Sequence, residues 1–326
     1  MITVRFSMPK LIFSAYVASP CALEWNPSHE ELFYRHLWQL PSIGGLELPF
    51  LGESLHPYDE RWLFDHLKPD AQYLVTCIPG TMQMLKESPQ FGLASCDDQG
   101  RRKALEFTKR ARDAIVRLNR YLGREAVGAL VLQSAPSLKH SQAQSSGECL
   151  LESLKEISSW NWGGTQILLE HCDAFEGSPA PIKGFLRFED EIKAVESANN
   201  CRVNALDVGF MINWARSVIE SRDIQTPVHQ ASEASRKGLL KAVFFSGVTQ
   251  DDAIYGQWLD THAPFATAVV NSLMTEQCAA NVLSAAKLNS LDYLGLKIQL
   301  LPHGMEWSKR WAMIQSAWAA LLNVNK

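Results

Sequence analysis

Two carboxylates, Glu170 and Asp207, close two short apolar runs, Thr165–His171 and Val203–Gly209. Carboxylates brought together in apolar surroundings repel, capture a proton or share a cation, so the pair points to general acid–base catalysis or metal binding. A third run, Gly295–Leu301, carries Lys297 and Gln299 two residues apart. In an extended strand both side chains share one face, while Leu296, Ile298 and Leu300 share the other. Similar placement at the ends of other runs adds Tyr16, Glu47, Gln133 and Ser246 to the polar set. Carboxylates, amides, hydroxyls and one ammonium on a common surface suit the binding of a hydroxylated small molecule and the movement of its protons.

Four further residues flank this set. His171 has the parity opposite to Glu170 and in a regular strand faces away from it; the turn through Cys172 and Asp173 could instead lift it into the site. Lys183, in Ile182-Lys183-Gly184-Phe185, reads either as a solvated lysine or as a loop cation over an anionic or hydroxylated ligand. In Asn213-Trp214-Ala215-Arg216, Trp214 suits stacking on a sugar face and Arg216 suits clamping a carboxylate or phosphate.

The elements that must position these residues repeat along the chain. Strand-like runs occupy Leu11–Ala18, Gly44–Phe50, Gln72–Ile78, Val127–Ser134, Thr165–His171, Val203–Gly209, Lys241–Gly247 and Gly295–Leu301. Segments with helical periodicity separate them, among them Arg101–Leu122, Gly147–Trp160 and Thr275–Lys287. Eight such units predict parallel strands joined by helical crossovers, best accommodated in a single (β/α)8 TIM barrel over residues 1–326, with an open doubly wound sheet as the alternative. Barrel layers are ordinarily Val, Ile and Leu, so polar groups pointing inward must be paired or functional. The long loops Pro79–Gly100, Ser134–Gly147, Cys172–Gly184 and Val248–Pro264 all follow strands, on the face where barrel sites form. Trp307, Trp311 and Trp318 read as a core stripe closing the helical ring, or as a subunit interface.

Composition narrows the function classes. A formal charge of −4 with 20% charged residues gives no basic footprint for nucleic acid. Seven dispersed cysteines without metal-finger spacing read as reduced thiols of a cytoplasmic protein. Arg5 and Lys10 precede the apolar run Leu11–Ala18, which reads as a first strand rather than a signal peptide. Nothing approaches 18 consecutive apolar residues, so no membrane association is expected. The glycine-rich phosphate loops and the GxSxG and HExxH patterns are absent, which removes support for a nucleotide cofactor or serine-hydrolase chemistry.

Ile167-Leu168-Leu169-Glu170 followed by Ala205-Leu206-Asp207, with Gly44-Gly45-Leu46-Glu47-Leu48-Pro49 and Tyr293-Leu294-Gly295, resembles the xylose-isomerase-like barrel superfamily, nearest to an uncharacterised bacterial branch. Sugar isomerases, keto-sugar epimerases and metal-dependent apurinic endonucleases belong to it. The resemblance implies a divalent metal held by a Glu, an Asp, a His and a second Glu, polarising a hydroxy-ketone while the two glutamates move protons. Glu170 and Asp207 match the first two positions. Ser246 stands where the His is expected, Gln299 where the second Glu is expected, and Phe210 where some members carry a further His. A carboxamide is a neutral ligand and no base, so Glu170, Asp207 and Gln299 would hold Mg²⁺ or Mn²⁺ weakly or not at all. Lys297 could replace the metal by supplying positive charge beside an oxyanion.

The expectation is a sugar or sugar-acid isomerase or epimerase with Glu170, Asp207 and Lys297 as catalytic residues, acting on a small polyol or sugar without nucleic acid. A homo-oligomer remains open. The alternative is a catalytically silent carbohydrate-binding or regulatory barrel that has lost the metal set. Phosphodiester cleavage would need more histidines and acids at the strand ends than the sequence places there.

Overall fold

In the computed structural model, residues 8–140, 142–174, 182–201 and 206–325 are described. β1 (Lys10–Ser14) runs into one helical turn, α1 (Ala15–Ala18), and then α2 (Pro27–Leu37). Next come β2 (Ile43–Pro49), α3 (Glu60–His66), β3 (Gln72–Thr76), α4 (Ile78–Glu87) and α5 (Asp98–Leu122). β4 (Val127–Leu132) precedes α6 (Gly147–Ser158), and β5 (Gln166–Glu170) precedes α7 (Phe188–Asn200). β6 (Val208–Asn213) leads into α8 (Trp214–Ser221) and α9 (Thr226–Arg236). β7 (Leu240–Phe245), α10 (Glu276–Ala286), β8 (Tyr293–Leu296) and α11 (Trp307–Val324) complete the order. The strands close into a barrel in sequence order, the (β/α)8 fold. No helix among the described residues is long and apolar enough to cross a membrane. The chain falls into two compact units, residues 45–210 and residues 1–44 with 211–326.

In the 45–210 unit the register sets which side chains share a face. Glu47 pairs with Leu74, Leu74 with Ala129, and Ala129 with Gln166. Steps of two along each strand carry this face through Pro49, Thr76, Val131 and Leu168 to Gln133 and Glu170. The opposite face meets the helices: Ser134 and His171 both reach Glu191 on α7. Glu47, Gln133 and Glu170 therefore point to the barrel interior. The longest helix, α5, shows why its sequence folds locally. Asp97 caps it by accepting from the Gly100 N–H at 2.6 Å, and Gly123 ends it at φ +69°. Ala104, Phe107, Thr108, Ala111, Ala114, Ile115 and Leu118 form its buried stripe.

In the other unit Ile12, Gly295 and Phe244 lie in register, as do Phe13, Leu296 and Phe245. Phe13 packs against Trp318 of α11 with ring centroids 6.1 Å apart, so its face is the outer one. The inner face then continues from Ile12, Gly295 and Phe244 to Ser14, Lys297 and Ser246. A Cβ on Gly295 would lie 2.4 Å from the Phe244 ring, so only glycine fits beneath that ring. Gly295→Ala is expected to lower unfolding stability by about 1–3 kcal/mol in urea titration through overpacking. An unchanged midpoint would mean that Phe244 moves aside freely.

Strand boundaries differ from the sequence expectation along the chain, and those of β1, β8 and β6 bear on the candidate site. β1 stops at Ser14, which leaves Tyr16 in α1 rather than on a strand. β8 ends at Leu296, so Lys297 and Gln299 follow the strand instead of lying within it. β6 begins at Val208, the next-to-last residue of the run expected at 203–209, of which residues 203–205, like Arg5, lie outside the described residues. The physical reason is burial on both faces: Val208-Gly209-Phe210-Met211-Ile212 is continuously buried, whereas Asp207 is exposed. The tryptophan stripe also divides. Trp318 is core and donates its indole N–H to the Pro41 carbonyl at 2.9 Å. Trp307 and Trp311 are half-buried and stack on each other at 6.1 Å, with His36 of α2 edge-on to both.

Candidate functional site

Glu170 is the last residue of β5 and is fully buried. Gln133, one residue beyond β4, donates its Nε2–H to Glu170 Oε2 at 3.0 Å. A carboxylate only accepts, so the amide nitrogen must face it and Gln133 Oε1 turns elsewhere. That Oε1 is buried and has no hydrogen-bond partner among the described residues. A strand-end amide therefore fixes one oxygen of a buried carboxylate while offering an open acceptor. Glu47, fully buried on the same inward face of β2, is the other interior carboxylate of this unit that the sequence singled out.

His171 does not join them. Strand parity carries it to the outer face, where its Nδ1–H donates to Glu191 Oε2 at 2.6 Å. Ser134 Oγ donates to the other oxygen of Glu191. All three side chains are fully buried, so Glu191 ties the ends of β4 and β5 to α7 immediately behind Gln133 and Glu170. Glu191 was not singled out from the sequence, because a helical carboxylate carries no local sign of the partners it will meet.

Lys183 is neither solvated nor open to a ligand from outside. It is buried, its backbone N–H donates to Asp173 Oδ2 at 2.7 Å, and its Nζ lies 3.9 Å from Asp173 Oδ1.

Asp207 overturns the expected carboxylate pair. It is exposed and precedes the first residue of β6, while Glu170 ends the neighbouring parallel strand β5. The two acids stand at opposite strand ends and cannot share a cation or a proton.

In the unit of residues 1–44 and 211–326, the carboxyl end of β6 carries Asn213, fully buried. Its Oδ1 accepts from Ser246 Oγ at 2.8 Å. Lys297 is fully buried just past β8, where its backbone N–H continues the ladder to the Phe245 carbonyl at 2.8 Å. Its Nζ sits over the ring of half-buried Tyr16, 5.4 Å from the centroid, a distance at which the ring face attracts the cation. Ser14 ends β1 on the same inner face and is buried. Sequence reading missed Ser14 and Asn213. The available signal was the continuous apolar run ending at Asn213 directly before a helix.

Trp214 is fully buried and its indole N–H has no hydrogen-bond partner among the described residues. Arg216 is not free to clamp an external anion: its Nε donates to Asp260 Oδ2 at 3.2 Å, and both side chains are buried. The same carboxylate lies 3.2 Å from His262 Nδ1. Gln299 is half-buried beyond β8 and serves through its backbone. Its N–H donates to the His262 carbonyl at 2.8 Å, and its own carbonyl accepts from Tyr255 Oη at 3.1 Å.

A divalent metal of the kind the resemblance implies does not fit these residues. In the 45–210 unit the end of β5 carries the carboxylate Glu170; in the other unit the ends of β6 to β8 carry Asn213, Ser246 and Lys297, an amide, a hydroxyl and an ammonium where the resemblance implies two carboxylates and an imidazole. Among the described residues, no group of three or more His, Cys, Asp or Glu side chains is arranged to hold a metal ion.

Comparison with known proteins agrees with this fold. The family described as a domain of unknown function, DUF4862, matches residues 12–313. An uncharacterized protein of Salmonella typhimurium strain LT2 is 37% identical over 287 residues, 88% of either chain. Among solved structures, D-psicose 3-epimerase in the presence of D-fructose superposes with a TM-score of 0.57 at 14% identity, over 97% of this chain and 98% of that one. The IolI protein with a bound zinc atom superposes with a TM-score of 0.58 at 14% identity, over 97% of each chain. At that identity the likeness shows the fold alone, a (β/α)8 barrel.

Proposed function

We propose, from the premise that this chain belongs to the DUF4862 family, that it is a sugar or sugar-acid isomerase or epimerase working without a resident divalent cation. The observation that carries this reading is the Gln133–Glu170 pair: a fully buried carboxylate at the end of β5, one oxygen of which accepts from the Gln133 amide, beside an amide oxygen with no hydrogen-bond partner among the described residues. Glu170 takes the proton from the carbon next to a substrate carbonyl and returns it on the neighbouring atom or the opposite face. Gln133 Oε1 accepts from a substrate hydroxyl, completing its own hydrogen bonding as it orients the ligand.

Support for this substrate class comes from the solved neighbours, one an epimerase crystallised in the presence of a ketose. The altered strand-end residues favour a second reading, a barrel that binds such molecules without turning them over. Proton NMR in D2O, with a panel of ketoses, aldoses and sugar acids, separates the two. Loss of the signal at the carbon beside the carbonyl supports the enzyme. Thermal stabilisation by a panel member with no exchange on any of them supports the silent barrel.

A further inference from the structure

Cys96 and Cys149 have no part in the proposed reaction, yet their positions are closely defined. Cys96 sits in the loop before α5 and is exposed; Cys149 sits in the first turn of α6 and is half-buried. Their sulfurs lie 3.5 Å apart, with the Cys149 thiol donating to Cys96 Sγ.

The backbones that carry them are already fastened. The Cys96 N–H donates to the Gln144 carbonyl at 2.9 Å, and the Ser146 N–H donates to the Ala94 carbonyl at 3.0 Å. Between these bonds Ser95 and Ser145 form an antiparallel bridge. Ser146 Oγ then accepts from the Cys149 N–H at 3.1 Å, which fixes the turn that presents the second thiol. A disulfide requires a further approach of about 1.5 Å, within the reach of small side-chain rotations on a fixed backbone.

We propose that Cys96 and Cys149 form a reversible regulatory disulfide that locks the loop before α5 to the start of α6. The oxidant is a small-molecule disulfide such as oxidised glutathione. The Cys96 thiolate attacks one glutathione sulfur, forming a mixed disulfide and releasing one glutathione thiol. The Cys149 thiolate then attacks Cys96 Sγ, the protein disulfide forms, and the second glutathione leaves as a thiol. Two protein thiols are oxidised, one glutathione disulfide is reduced, and each departing thiolate takes up the proton that a cysteine has lost. Partial burial, and then the Cys149 thiol beside it, push the Cys96 thiol above its ordinary range, so the exchange quickens as pH rises. The cross-link closes a long loop and ties together two segments on the carboxyl side of β3 and β4, the second beginning at Gln133.

Peptide mapping of the full chain without reductant, after incubation with oxidised glutathione, tests this directly. A linked pair of peptides containing Cys96 and Cys149 is expected, with two of the seven thiols lost and a thermal midpoint about 5 °C higher, reversed by dithiothreitol. Cys149→Ser is expected to stop at glutathione retained on Cys96. A stable glutathione adduct on Cys96 of the unsubstituted chain, or no modification of Cys96 at all, overturns the proposal. Neither result depends on the variant folding, and neither bears on the reaction assigned to Glu170.

Discussion

Glu191→Ala is expected to lower unfolding stability by about 3–5 kcal/mol, the loss typical of a buried pair stripped of one partner. Three fully buried groups depend on one another here: Glu191 accepts from His171 Nδ1 and from Ser134 Oγ. Alanine leaves both donors buried without an acceptor and opens a cavity between α7 and the strand ends. Glu191→Gln keeps most of the volume and one acceptor, so it should lose distinctly less. Urea titration of the three proteins measures this ordering. A loss below about 1 kcal/mol for Glu191→Ala would mean that water or a rearranged side chain replaces the carboxylate, and that the anchoring of β4 and β5 to α7 has been misjudged.

The second large effect falls on turnover. Glu170→Gln is expected to reduce the rate of solvent-hydrogen exchange on the substrate by about 10²–10⁴-fold, the usual contribution of a positioned general base. The substitution is close to isosteric and puts an amide opposite the Gln133 amide, so folding should survive with a modest loss. Gln133→Leu removes the hydrogen bond to Glu170 and the open acceptor together, and should weaken both binding and turnover while Glu170 remains. If Glu170→Gln exchanged hydrogen at the rate of the unsubstituted chain, another base would be acting, and Glu47, buried on the same inner face, would be the next to test.

How far the sequence could be read follows from where side-chain parity carries information. β5 alternates legibly: Glu170 inward beside Gln133, His171 outward to α7. β6 does not. A strand buried on both faces has no period of two, so Val208–Ile212 carried no mark of its direction and the alternating stretch ending at Asp207 drew the assignment away from it. One shifted boundary exchanged Asn213 for an exposed aspartate and made a carboxylate pair that does not exist. β8 shows the milder form of this error, since the parity of Lys297 survived although the strand ended at Leu296. Pairings such as Arg216 with Asp260, or Lys183 with Asp173, were illegible for another reason. They join a helix or loop residue to a loop acid, and no local pattern announces the folded path of a loop. A lone arginine or lysine near a predicted site consequently looked like a ligand-binding group when its counter-charge lay within the same unit.

The central claim is proton transfer by Glu170 in a barrel whose strand-end donors do not suit a divalent metal. Its most direct test is the rate of deuterium incorporation into a responsive sugar or sugar acid from D2O, with the unsubstituted chain and Glu170→Gln, each with EDTA and with added Mn²⁺. We expect incorporation by the unsubstituted chain that EDTA leaves unchanged and Mn²⁺ does not accelerate, and none above background from Glu170→Gln. Exchange abolished by EDTA and restored by Mn²⁺ would contradict the account, because it would require a metal site that these residues do not supply.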